Sequence, residues 1–169
     1  DFEDIFIKTS KEIFNDDVFK DRPQPLLING IQSAGNIFYN KNKNVKKIED
    51  IIHKELENYR IKFDKSDEGI IKNWPKNYEL KGWLVKMKKG GKIEPHIHDH
   101  GWLSGSIYIN VPLKSDNSGN LVVSLIEKKN KILNKNIDKQ SKIINVVTGS
   151  LCLFPASLYH YTIPFKSDE

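Results

Sequence analysis

The apolar positions change rhythm partway along this chain. From Val45 to Phe63 they recur at steps of three and four residues (Val45, Ile48, Ile51, Ile52, Leu56, Tyr59, Phe63), which predicts a helix with one apolar face. Asn44 stands where the N-cap of that helix is expected. His53 falls away from the centre of the apolar face and reads as an exposed helix residue. Beyond a loop at 64–69 the apolar runs become short, alternating or β-branched. They are Leu80–Met87, Ser104–Val111, Leu121–Ile126, Ile143–Val147 and Ser150–Phe154, and each predicts a strand. Gly90-Gly91, Asn117-Ser118-Gly119-Asn120 and Thr148-Gly149 punctuate them as turns.

Upstream, Phe2, Ile5, Phe6, Ile13 and Phe14 fit a helix over 1–19, or a strand followed by a helix. Arg22-Pro23-Gln24-Pro25 interrupts regular structure, and 26–39 reads as loop with a short strand. Helices first and short strands afterwards predict an α+β fold, with an antiparallel barrel or jelly roll and N-terminal helices packed on the sheet. Residues 1–70 are expected to give helical and loop support, and 74–164 the strand core, within one domain spanning 1–169. The face of the 45–63 helix should lie on the outside of a sheet. Trp83, Val85, Ile107, Ile109, Leu121, Val123, Leu151 and Leu153 should be buried strand residues. The Lys-Asn-rich stretch Glu127–Lys142 reads as an exposed loop or hairpin end.

The strand reading changes the meaning of Pro95-His96-Ile97-His98-Asp99-His100-Gly101-Trp102. Side chains two apart on an extended segment point to one face, so His96 and His98 can converge on one metal ion. His160, after Leu153-Phe154-Pro155-Ala156-Ser157-Leu158-Tyr159, supplies a third ligand. Three ligands leave positions open for substrates, which separates a catalytic site from a closed structural one. Three imidazoles suit iron, and also Zn, Ni and Cu. Asp99 is an alternative carboxylate ligand if a bulge turns it inward, and His100 shares the alternation of His96 and His98. Trp102, Tyr108 and Tyr159 read first as core or pocket aromatics. Ser104 and Asn110 lie in or beside an apolar strand and need hydrogen-bond partners if buried.

Composition narrows the partners. The net charge of +5 comes almost wholly from scattered lysines, with Arg22 and Arg60 the only arginines. Bidentate base and phosphate contacts call for arginine, so no nucleic acid is expected. No stretch approaches the run of about 20 apolar residues that a membrane span needs. Cys152 is the only cysteine, which excludes an internal disulfide and fits a reducing, cytoplasmic setting.

Taken together, Pro95-His96-Ile97-His98-Asp99-His100-Gly101-Trp102-Leu103-Ser104-Gly105-Ser106-Ile107-Tyr108-Ile109-Asn110-Val111-Pro112 resembles the core of 2-oxoglutarate/Fe(II)-dependent oxygenases of a type often attached to tetratricopeptide repeats. Gly149-Ser150-Leu151-Cys152-Leu153-Phe154-Pro155-Ala156-Ser157-Leu158-Tyr159-His160-Tyr161-Thr162-Ile163-Pro164 is similar to the second motif of that family, and Tyr78-Glu79-Leu80-Lys81-Gly82-Trp83 is also familial. The likeness runs over roughly 74–164. It implies a double-stranded β-helix with Fe(II) held by His96, His98 and His160. It implies 2-oxoglutarate as co-substrate, converted to succinate as a peptide, protein side chain or small metabolite is hydroxylated. Tyr108 and Thr162 are the residues expected beside 2-oxoglutarate.

The family's basic residue for the 5-carboxylate would fall just past Glu169, so either the chain is a fragment of a longer, repeat-bearing protein or its co-substrate anchoring differs. The start at Asp1 fits an excised domain, and Lys86 and Lys166 are substitutes for the missing cation. This exact chain should therefore bind 2-oxoglutarate weakly. The alternatives are a cupin-like metalloenzyme not using 2-oxoglutarate, or a non-catalytic metal- or ligand-binding domain.

Overall fold

The computed structural model describes residues 1–126 and 140–167, which form two compact units. The first comprises 1–22 and 33–84, and the second 23–32 and 85–169. Helices and antiparallel strands both occur, so the chain is of the α+β class.

In the first unit a π-type turn, Glu3–Lys8, runs into helix α1 (Thr9–Asn15), and a 3-10 turn, Asp17–Phe19, follows. The stretch is thus helical throughout, and the strand option for it does not form. The periodic segment is helix α2 (Lys43–Lys62), with Val45, Ile48 and Leu56 buried. Within its unit that face meets the Glu3–Lys8 turn and the Ile37–Tyr39 turn. Ile13, Phe19, Ile37 and Val45 form the core, with Phe38 and Leu84 packed against it. Phe63, the last residue of the predicted apolar stripe, is 40% exposed.

The cap of α2 is Asn42, not Asn44: its side chain accepts a hydrogen bond from the Asn44 backbone N–H at 2.8 Å. Asn42 has extended backbone angles while Asn44 is already helical, so only Asn42 can reach back to an unpaired N–H. Asn42→Ala should lower stability by about 1 kcal/mol in a denaturant titration. Asn44→Ala should cost clearly less, and the reverse order would show the cap is misplaced.

Leu80–Met87 does not form one strand. Its first part is extended backbone tied to 33–37: Asn36 Nδ2 donates to the Leu80 carbonyl at 2.9 Å, and the Gly82 N–H to Asn36 Oδ1 at 3.0 Å. A Cβ on Gly82 would lie 2.6 Å from the Phe38 ring, which accounts for glycine there. Trp83 is 38% exposed and lies outside any strand, contrary to expectation.

The second unit holds the strands that carry the site. β1 (Leu27–Ser33, within the unit to Gln32) pairs antiparallel with β2 (Val85–Ile93). Gly90-Gly91 is not a hairpin turn but lies in a bulge of β2, where Ile28 pairs with Lys92 and Gly30 with Met87. Gly90 takes φ +76°, which a residue with a Cβ rarely adopts. The bulge is held by Phe165, which accepts from the Gly90 N–H at 2.7 Å and donates to the Gly91 carbonyl at 3.0 Å.

β3 (Leu103–Ile107) pairs with β6 (Leu151–Pro155), and β4 (Leu121–Ser124) lies between β5 (Ser141–Ile144) and β7 (Tyr159–Thr162). Ile109 falls after the end of β3. β4 is buried on both faces, as its unbroken apolar run requires. Leu121, Val123, Val146 and Phe154 form the core, with Tyr108, Ile144, Cys152 and Leu158 against it. Of the predicted loop Glu127–Lys142, residues 127–139 lie outside the described residues, and Ser141 and Lys142 already belong to β5.

Candidate metal centre

His96 and His160 face each other as a hydrogen-bonded antiparallel bridge. The His96 N–H donates to the His160 carbonyl at 3.1 Å, and the His160 N–H to the His96 carbonyl at 2.9 Å. A directly opposed pair projects its side chains to one side, and the two rings lie 4.1 Å apart between centroids. The chain leaves the extended form after His96. The His98 N–H donates to the Ala156 carbonyl at 3.0 Å, and the Gly101 N–H closes a turn onto the His98 carbonyl at 2.9 Å. His98 still reaches the pair, with ring centroids 5.1 Å from His96 and 5.0 Å from His160.

The same device orients two of the three rings. His96 Nδ1 is 2.9 Å from the Glu94 carbonyl, and His160 Nδ1 is 3.0 Å from the Leu158 carbonyl. A carbonyl only accepts, so each Nδ1 carries the proton and each Nε2 presents a lone pair. His96 Nε2 then lies 3.1 Å from His98 Nε2, and the potential ligand atoms of all three rings lie within 4.8 Å of one another. Two metal–nitrogen bonds of about 2.1 Å at right angles would hold their nitrogens about 3.0 Å apart. The His96–His98 separation therefore suits two ligands of one divalent ion, with His160 close enough to be a third.

Electrostatics agree with that fit. Burial pushes the His160 pKa down to about 4, with His96 and His98 adding to the effect against the Leu158 carbonyl. His98 is also lowered, first by burial and then by His96, while Asp99 opposes. Neutral imidazole is the form that ligates metals.

Asp99 and His100 lie exposed on the turn closed by Gly101, so strand alternation does not bring His100 to the cluster. His53 Nδ1 pairs with the Tyr78 hydroxyl at 3.0 Å in the first unit. Tyr108 follows β3; it packs on the second core and burial raises its phenol pKa. Thr162 sits two residues beyond His160 on β7, half-buried and opposite Leu121. Lys86 is exposed on β2, and Lys166 is 2.5 Å from Asp116 with most of its side chain in solvent. Lys114 carried no signal in the sequence. Its amine, its pKa lowered by burial, donates to the side-chain carbonyl of buried Asn120. Arg60 is paired with Glu57 in the first unit.

A family model described as "Putative 2OG-Fe(II) oxygenase" matches residues 81–169, just over half of the chain. The chain belongs to that 2OG-Fe(II) oxygenase family. No curated protein and no solved structure matches it. Among the described residues, no helix is long and apolar enough to cross a membrane.

Proposed function

We propose that the protein is an Fe(II)- and 2-oxoglutarate-dependent dioxygenase that hydroxylates a peptide, a protein side chain or a small metabolite. The convergence of three imidazoles, two of them locked with Nε2 forward, carries the reading. In it His96, His98 and His160 hold Fe(II) on one side, leaving the other open for co-substrate. Iron held there would activate O2, the oxidant: one oxygen atom would go into succinate as 2-oxoglutarate loses CO2, and the other into the hydroxylated C–H bond. Tyr108 and Thr162 offer hydroxyl donors to the co-substrate. Leu121, Val123 and Phe154 keep the interior dry, which strengthens each hydrogen bond to an anion.

Three antiparallel sheets in one unit are compatible with a double-stranded β-helix, the architecture this reading adopts. A reducing compartment, the cytoplasm, suits both Fe(II) and the free thiol of Cys152. The chain as part of a longer, repeat-bearing protein remains within the proposal.

Purified protein given Fe(II), ascorbate, oxygen and 2-oxoglutarate should release succinate above a no-iron control. His96→Ala should bring release down to that control. Tight metal binding with no succinate and no 2-oxoglutarate binding would replace this reading with the cupin-like or non-catalytic one.

A further inference from the structure

The first unit holds a cavity of its own, made without any of the clustered histidines. Its volume is about 350 Å3, and Glu57, Arg60, Trp74, Pro75, Lys76 and Tyr78 line it. That size falls at the lower end of small-molecule sites. Glu57 and Arg60 stand on the last two turns of α2, and the other four follow a short helical turn, Gly69–Lys72. Trp74 precedes Pro75, a position that favours extended backbone over helix. Asn73 Nδ2 donates to the Gly69 carbonyl at 2.9 Å, and the Trp74 N–H to the Ile71 carbonyl at 3.2 Å, which closes the turn.

The walls are fixed by contacts among themselves and with their neighbours. The Trp74 ring stacks on Tyr59 with centroids 6.3 Å apart, and Tyr59 packs on Phe63 at 4.8 Å. The Tyr78 phenol is 3.0 Å from His53 Nδ1. Glu57 grips Arg60 with both carboxylate oxygens, accepting from Nε at 2.9 Å and from Nη2 at 2.5 Å. A ligand entering here has few side chains left to order, which lowers the entropic cost of binding.

Three polar groups of the wall have no partner among the described residues, and all three are donors: Arg60 Nη1, the Trp74 indole N–H and the Lys76 ammonium. Two cations against one carboxylate leave the wall net positive. A carboxylate or a phosphate accepts from every one of these donors, and the bonds are charge-assisted. Beside them Trp74, Pro75 and Tyr78 offer apolar surface for a ring, with Trp and Tyr presenting rigid faces. We infer that the cavity binds a small organic anion carrying a planar ring, its carboxylate or phosphate on Arg60 and Lys76 and its ring against Trp74 and Tyr78. This site lies within the first unit and does not depend on the dioxygenase reading.

Calorimetric titration of the metal-free protein with phenylacetate and with phenyl phosphate tests it. The two probes share the ring and differ in the anion, while acetate, inorganic phosphate and benzyl alcohol each carry one half. Both ring-bearing anions should bind saturably, with Kd on the order of 1 mM or below. Each half alone should bind at least about tenfold more weakly, and the tighter of the two full probes shows whether carboxylate or phosphate is the preferred group. Lys76→Glu changes an exposed side chain, so it should leave the thermal midpoint unchanged while weakening both probes about tenfold or more. Its Mn(II) affinity should match wild type. Trp74→Ala should lose binding. Because the Trp74 ring packs on Tyr59, Trp74→Phe guards against an unfolded alanine variant: it keeps the stack, lacks the indole N–H and should bind with intermediate affinity. The assignment is overturned by the absence of saturable binding, by halves that bind as tightly as the full probes, or by unchanged affinity in both Lys76→Glu and Trp74→Phe. None of these results bears on succinate release at the histidines.

Discussion

Alanine at position 160 should abolish tight metal binding without unfolding the protein. Changing a group that merely supports a ligand costs roughly 10- to 100-fold in metal affinity, so deleting a ligand from a set of three should cost at least about 100-fold. His96→Ala and His98→Ala should behave alike, because all three rings converge on one volume. His53→Ala, whose ring bonds Tyr78 in the first unit, should bind metal as wild type does. Asp99→Ala and His100→Ala test the alternative ligands. Both residues are exposed on the turn after His98, so neither change should move the affinity by more than a few-fold. Calorimetric titration with Mn(II) or Co(II) gives the affinities, and far-UV circular dichroism shows whether each variant is folded. Full affinity in His160→Ala, or a loss in Asp99→Ala as large as in His160→Ala, would overturn the three-histidine site.

The pairing of His96 with His98 was legible because alternation carries so little ambiguity. Residues two apart share a face wherever the backbone is extended. His160 is a different matter, since no local rule links it to residues some sixty positions earlier. It was read only as a histidine that a distant strand could bring in, and the bridge between His96 and His160 gives the physical reason for it. The same alternation misled at His100, because a turn after His98 breaks the phase.

Glycine pairs show a similar limit. Gly90-Gly91 has the composition of a hairpin turn, and only the pairing of β1 with β2 and the Phe165 contacts reveal a bulge. The cap was displaced by two residues because Asn42 and Asn44 are equally good cap residues in composition. Trp83 sits in an apolar run yet stays partly exposed: its neighbours Gly82 and Leu84 spend their backbone groups on 33–37 instead of a sheet. The sequence did mark Ser104 as a polar residue needing a partner. Only three dimensions show that its Oγ has no hydrogen-bond partner among the described residues.

Acid should destabilise the metal-free protein through the same histidines. His160 titrates at about 4 when folded, against about 6.5 for an unperturbed imidazole in the unfolded chain. As pH falls through 6.5 the unfolded chain takes up this proton and the folded one does not, so the balance moves toward unfolding. The loss continues until the folded pKa is reached and levels off below it. For His160 alone it amounts to about 3 kcal/mol across that window. His98 is shifted in the same direction and adds to it. Asp116, held below the usual carboxylate range by Lys166 and Ser118, contributes only at lower pH, where the unfolded carboxyl begins to protonate. Urea titrations in chelator at steps between pH 6.5 and about 4 should therefore show a steady fall, and His160→Gln should flatten much of it. Saturating Mn(II) should raise stability at neutral pH and lose that gain over the same window, because binding requires the rings unprotonated. A flat profile in wild type, or a slope unchanged by His160→Gln, would show that His160 is not buried in its neutral form.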